Sequence, residues 1–199
     1  MIRATIFDYG AGNLHSLSKA LAHAGARVSI ESDPVAALES DVLVLPGVGN
    51  FVSAAARLAS ATSTMRDAIV GGHPTLGICL GMQLLFESSE EGPGEGLGVL
   101  RGSVRRLEAA RVPQIGWNAI EHVAKSPLDL CGLDVAYYAN SFVCRARDES
   151  SIIAWSAHES DRFPAIVRLR RTIGVQFHPE KSSIPGLRFL AGALAEITQ

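Results

Sequence analysis

Charge of one sign is not in excess in this sequence. Its 18 basic and 20 acidic side chains leave a net charge of -2. No long Lys/Arg run supplies the footprint that a phosphate backbone requires, so nucleic acid is not an expected partner. Long apolar runs are missing too, and the longest falls far short of the ~20 residues that cross a bilayer. Residues 1–10 lack the extended apolar stretch of a secretion signal and read directly as a first strand. Cysteine is scarce. Cys79, Cys131 and Cys144 are odd in number and lack zinc-type spacing, which argues against a disulfide-stapled secreted protein and against a metal site. A reducing cytoplasm is the expected compartment, and it would keep a functional thiol free.

What is abundant is apolar side chain. Hydrophobic residues make up 47% of the 199 and charged residues 19%, the balance of a chain that buries a core. That length fits one domain over residues 1–199, and neither a linker nor an internal repeat divides it.

The first half alternates short apolar strands with helical stretches. Residues 2–7 read as a strand, and residues 13–23 as a helix with Leu14, Leu17 and Leu21 on one face. Gly25 ends that helix and residues 27–30 resume an extended pattern. Residues 41–45 are apolar on both faces, as a strand covered on each side should be. After the turn at 46–49 comes a helical region through Val70, closed by Gly71 and Gly72. Residues 75–78 form a strand that leads straight into a helix from Leu80 to about Phe86. Such repeats predict an α/β fold with an open, mostly parallel sheet and helices on both faces. The second half changes character. Residues 92–98, rich in glycine, read as a flexible loop. Runs at 103–107, 135–139, 152–155 and 165–169 read as added antiparallel hairpins, 172–177 as a last strand and 185–197 as a closing helix.

Three segments carry the chemistry. In Gly77-Ile78-Cys79-Leu80-Gly81 a nucleophile stands at the tip of a strand-to-helix turn. Such a turn needs small residues two positions before and two after, because its backbone is strained and its neighbours pass close. The helix N-terminus that follows favours thiolate over thiol. Taken alone, the segment suits a buried structural cysteine equally well. The second segment is Gln176-Phe177-His178-Pro179-Glu180. Two residues apart in extended geometry, His178 and Glu180 point the same way, so the carboxylate can orient the imidazole. A histidine so held takes the Cys79 proton and later protonates a leaving amine. The other five histidines have no comparable setting. Third, the turn Pro46-Gly47-Val48-Gly49 ends another strand, and in an open parallel sheet sites form beyond the carboxyl ends of the strands. Gly47, Val48 and Gly49 there present the bare backbone amides that an oxyanion hole requires. No Lys-Ser/Thr follows the glycines, which disfavours a phosphate loop. Together these segments predict acyl transfer through a thioester.

With these residues in view, the sequence resembles the class I, or triad, glutamine amidotransferases. Within them it is similar to the glutaminase subunits of imidazole glycerol phosphate synthases. The matching segments are Asp8-Tyr9-Gly10-Ala11-Gly12-Asn13, residues 46–49, residues 77–85, Pro113-Gln114-Ile115-Gly116-Trp117-Asn118 and residues 174–181. The resemblance implies a Cys79–His178–Glu180 triad, glutamine as substrate, and no cofactor or metal. Gln83 and Glu91 match positions that hold glutamine. It also implies a heterodimer with a (β/α)8-barrel cyclase, which receives the ammonia through a protected path. Asn13, Gln114, Trp117, Asn118, Tyr138 and Lys181 match the side facing that cyclase. Departures are Asn140 where histidine is common, Ile115 where methionine is frequent, and Asn50 in place of a smaller residue. Two other readings are weighed against this one. A glutaminase serving aminodeoxychorismate or anthranilate synthesis usually carries Gly-His-Gln where Gly81-Met82-Gln83 stands. A redox-sensing protein on the same scaffold would need no general acid.

Overall fold

The fold is described from a computed structural model covering residues 1–10, 14–123 and 132–199. The apolar runs of the first half become parallel strands. These are β1 (Arg3–Phe7), β2 (Arg27–Glu31), β3 (Val42–Leu45) and β4 (Thr75–Ile78). Every residue of β3 and β4 is buried, as two-sided coverage by helices requires. Helices α1 (His15–His23), α2 (Phe51–Leu58) and α3 (Thr62–Val70) connect these strands, and a short α4 (Leu80–Gln83) follows β4. Gly25, at φ +93° just past α1, terminates that helix as expected. The single helical region expected before Val70 is two helices. The first is capped by Asn50, whose side chain accepts the Ser53 amide at 2.9 Å.

In the second half the short strands are β5 (Ser88–Ser89), β6 (Gly102–Arg106), β7 (Gln114–Ala119) and β8 (Glu121–His122). The longer ones are β9 (Val135–Asn140), β10 (Phe142–Ala146), β11 (Ile152–His158) and β12 (Asp161–Leu169). Strand β13 (Thr172–Val175) and helix α5 (Ser183–Thr198) close the chain. Among the described residues the main sheet has eight strands in the order β2-β1-β3-β4-β13-β12-β11-β8. The first five are parallel neighbours, and β12, β11 and β8 add on antiparallel. Strands β10, β6 and β5 form a second sheet, and β7 pairs with β9 in a third.

Alternation along the strands divides the core in two. Ile6, Val44, Ile78 and Val175 meet α1 and α5 through Leu17, Leu21, Phe189 and Leu190. Phe7, Leu43 and Leu45 meet α2 and α3 through Phe51, Leu58, Met65 and Ile69 on the other face. No helix among the described residues is long and apolar enough to cross a membrane.

Two expectations are corrected. Helix α4 ends at Gln83 rather than near Phe86, because the next residues turn tightly and pair with the loop beyond. The Leu97 amide donates to the Leu84 carbonyl at 2.7 Å and the Gly98 amide to the Phe86 carbonyl at 3.1 Å. The glycine-rich segment 92–98 is accordingly tied down. Leu97 is fully buried, and the Arg66 guanidinium donates to its carbonyl.

Candidate active site

Three adjacent parallel strands, β3, β4 and β13, deliver their following residues to one edge of the sheet. Leu45 is in register with Gly77, and Ile78 with Val175, so the turn at 46–49, Cys79 and His178 emerge side by side. Cys79 takes φ 48°, a left-handed conformation of order 1–3 kcal/mol above the ordinary regions. The flanking glycines are required by contact. A β-carbon on Gly77 would lie 2.7 Å from the Gly81 carbonyl oxygen, and one on Gly81 only 1.9 Å from that of Leu45. The elbow folds tightly on itself and on β3.

His178 Nδ1 lies 2.8 Å from Glu180 Oε1, with both side chains almost wholly buried. The pair forms differently from the expected extended geometry. Residues Pro179–Lys181 make a 3-10 turn that swings Glu180 back onto the imidazole. That turn is clamped by β9. The His178 amide donates to the Tyr137 carbonyl at 2.8 Å, and the Ser182 hydroxyl donates to the His178 carbonyl at 2.7 Å while accepting the Tyr137 amide at 3.0 Å. Burial by itself pulls His178 toward the neutral ring. Opposing it, the charge and hydrogen bond of Cys79 and then those of Glu180 prevail and raise it to about 10. The imidazole therefore holds its proton beside the Cys79 sulfur. Burial, with the Cys79 charge, pushes the Cys144 thiol well up and leaves it an inert thiol.

Over Cys79 opens a cavity of about 200 Å³, bounded by Gly47 and Gly49 on one side, Gln83 and Glu91 on another, and Asn140. The amides of Gly47, Val48 and Gly49 make no hydrogen bond to the described residues. Gly47 packs against both His178 and Cys79, since a β-carbon there would stand 2.9 Å from His178 Cε1 and 3.0 Å from Cys79 Cβ. Gln83 Nε2 donates to the Phe142 carbonyl at 3.0 Å. Glu91 Oε2 accepts the Phe51 amide at 2.8 Å and so joins the pocket to the first residue of α2. Asn140 sits in the pocket wall, and its amide also donates to the Phe142 carbonyl, at 3.1 Å.

The residues expected to face a partner separate into groups. Trp117 is 55% exposed and packs edge-to-face on Tyr137, with ring centroids 6.1 Å apart. Lys181 Nζ lies 5.9 Å above the same tyrosine ring. These form an exposed strip with Ile115. Tyr138 does not belong to it. It is fully buried, edge-to-face with Phe163 and Phe177, because alternation along β9 turns Tyr137 outward and Tyr138 in. Gln114 is likewise buried, on the inner face of β7. Asn118 is half-buried, with its amide donated to the Ala157 carbonyl. Asn13 and Cys131 lie outside the described residues.

Two further residues stand at the site without having been singled out. The buried Tyr9 donates its hydroxyl to the Pro46 carbonyl, at the root of the turn at 46–49. Burial, and the nearby Cys79 and Asp8 charges, hold that hydroxyl protonated. Gln176, fully buried, aims its amide at the Cys79 sulfur. Both belong to the quoted motif segments, but nothing local to those segments gives them a contact.

A family model described as glutamine amidotransferase class-I matches residues 5–194. The imidazole glycerol phosphate synthase subunit HisH of Thermus thermophilus is 44% identical over 194 residues, covering 96% of each chain. Its counterpart from Bacillus subtilis is 41% identical over 196 residues, covering 93% of this chain and 92% of that one. Among solved structures, PurLQS from Thermotoga maritima superposes with a TM-score of 0.74 at 18% identity, over 99% of this chain and 98% of that one. With a match that runs from β1 into α5, the chain belongs to the class-I glutamine amidotransferase family.

Proposed function

We propose that the chain, acting as one glutamine amidotransferase unit, hydrolyses glutamine to glutamate and ammonia through a thioester on Cys79. The ammonia passes to a cyclase subunit, a (β/α)8 barrel, with which the chain forms a cytoplasmic heterodimer. The pair makes imidazole glycerol phosphate and aminoimidazole carboxamide ribonucleotide in histidine biosynthesis. One observation carries the chemistry: the His178 ring stands between the Cys79 thiol and the Glu180 carboxylate in a buried setting. The full-length likeness to subunits named HisH supports the choice of pathway.

Glutamine enters the cavity with its side-chain amide over Cys79, held by Gln83 and by Glu91, whose carboxylate complements the substrate's ammonium. The thiolate attacks the amide carbon and a C–S bond forms. The negative oxygen falls to backbone amides at 47–49 and to the amide of Leu80, the first beyond the nucleophile. The His178 imidazolium gives its proton to the departing nitrogen, the C–N bond breaks, and ammonia leaves. Neutral His178 then takes a proton from water, whose oxygen attacks the thioester. The C–S bond breaks, glutamate departs, and the thiolate–imidazolium pair is restored. Glu180 fixes the ring throughout by accepting from Nδ1. Ammonia set free in water is protonated at neutral pH and loses its nucleophilicity, which favours a desolvated path to the partner. The exposed Trp117–Tyr137–Lys181 strip is the docking face, and its strand β9 is bonded directly to the His178 backbone.

The test compares glutamine-dependent and ammonium-dependent synthesis by the complex with the cyclase. Cys79→Ala should abolish the first and spare the second. Retained glutamine use would remove Cys79 from the chemistry, and loss of both would refute the division of labour.

A further inference from the structure

The amide of Gln176 touches two parts of the site at once. Its Nε2 lies 3.5 Å from the Cys79 sulfur, within reach of a hydrogen bond to sulfur, and its Oε1 lies 3.4 Å from Gln83 Nε2. Gln176 is completely buried and Gln83 nearly so. The two ends of a carboxamide look alike in outline, so which end faces the sulfur must follow from the partners. Here the partners decide it. The Phe142 carbonyl, an obligate acceptor, takes a hydrogen bond from Gln83 at 3.0 Å and so directs the Gln83 amino group inward. That amino group needs an oxygen opposite it, which turns Gln176 Oε1 toward Gln83. The Gln176 amino group is left facing Cys79. A backbone carbonyl on β10 thereby orients two buried amides in series, and the series ends in an N–H donor at the nucleophile.

We infer that Gln176 is a positioning residue of the glutaminase reaction, holding the Cys79 thiolate by a hydrogen bond independent of His178 and linking it to Gln83 in the substrate pocket. The inference rests on Cys79 being the nucleophile. His178 must part with its proton to the leaving nitrogen, and from then until deacylation it offers the sulfur no charge. A second donor, two residues before His178 on the segment that follows β13, keeps the sulfur in place and stabilises it when the thioester collapses. An apolar side chain of the same size would fill the space and do neither.

The probe is iodoacetamide, which reads thiolate availability and needs no substrate pocket, applied to the full chain with the Cys79 adduct quantified by peptide mass. Two variants separate the two contacts. Gln176→Met removes both hydrogen bonds at similar volume. Gln176→Glu keeps an oxygen for Gln83 but puts an oxygen in place of the N–H at the sulfur. Loss of a hydrogen bond to a charged group predicts alkylation slower by about tenfold or more in both. In the complex with the cyclase, kcat for glutamine hydrolysis should fall by the same order, and KM should rise in Gln176→Met more than in Gln176→Glu. Circular dichroism establishes that each variant folds, and should the buried carboxylate of Gln176→Glu prevent folding, Gln176→Met decides. In the unsubstituted chain the Gln176 side-chain amide resonance should move on alkylation of Cys79. Alkylation within about twofold of the parent in a folded variant, or an unmoved amide resonance, would overturn the inference, since the hydrogen bond would then contribute less than such bonds do. Failure of the parent to be alkylated at Cys79 at all would strike the nucleophile reading, not this one.

Discussion

Substituting alanine for Gly47 separates the chemistry from the fold. A β-carbon at that position would stand 2.9 Å from His178 Cε1, 3.0 Å from Cys79 Cβ and 3.0 Å from the Ile78 carbonyl oxygen, where ordinary contact begins at 3.4 Å. The carbonyl belongs to a fully buried central strand and cannot yield. Displacement of about half an ångström therefore falls on the turn and on the catalytic pair. Misplacement by 1 Å can lower a rate about 100-fold, so half of that predicts a drop in kcat of about tenfold. Crowding at the half-buried strand end should destabilise the fold by only about 1 kcal/mol, the low end for an added methyl group. The assay is glutamine hydrolysis by the complex with the cyclase, with ammonium-dependent synthesis as internal control and thermal melting as a check on folding. Gly25→Ala serves as comparison, because it carries a φ of +93° with nothing within 4 Å of the new atom. It should strain its turn and leave turnover alone. A Gly47→Ala enzyme with unchanged kcat would refute the placement of this turn against the pair.

Gly81→Ala should act on the fold instead: the new atom would meet the Leu45 carbonyl oxygen at 1.9 Å with backbone on both sides, and chemical denaturation should show a loss of about 3 kcal/mol or more. Glu180→Gln tests the raised His178. Because its folded value, about 10, exceeds the ordinary 6.5, its contribution to stability is complete below about pH 6.5 and is lost as pH rises through about 10. Denaturation midpoints of parent and Glu180→Gln should thus differ more near pH 6 than above about pH 10, and a pH-independent difference would remove Glu180 from the support of that charge. Trp117→Ala, at an exposed position, should leave unfolding within about 0.5 kcal/mol of the parent yet weaken association with the cyclase in titration calorimetry. Undiminished affinity would move the interface elsewhere.

The elements whose cues are local were legible in the order of residues. The runs at 42–45 and 75–78, apolar apart from Thr75, became buried parallel strands, and the spacing of Gly77 and Gly81 about Cys79 marked an elbow whose steric needs lie within five residues. His178 and Glu180 were legible as partners, although a 3-10 turn and not an extended strand brings them together. Parity was not legible at β9. Two adjacent tyrosines in a strand do not say which of them faces inward, and a slip of one residue exchanges Tyr138 for Tyr137 at the surface. Nor could the segment 92–98 be read as anchored, because its partners are the carbonyls of residues 84 and 86 and the side chain of Arg66.

By itself, then, the sequence determined the layered α/β scaffold, the elbow at Cys79 and the pairing of His178 with Glu180, since hydrophobic period and turn sterics are properties of neighbouring residues. Only the tertiary structure decided what surrounds the sulfur. Gln176 reaches Cys79 across 97 residues, and Tyr9 reaches Pro46 across 37. A hydrogen bond between such distant segments exists only once strand order and register have set both backbones in place.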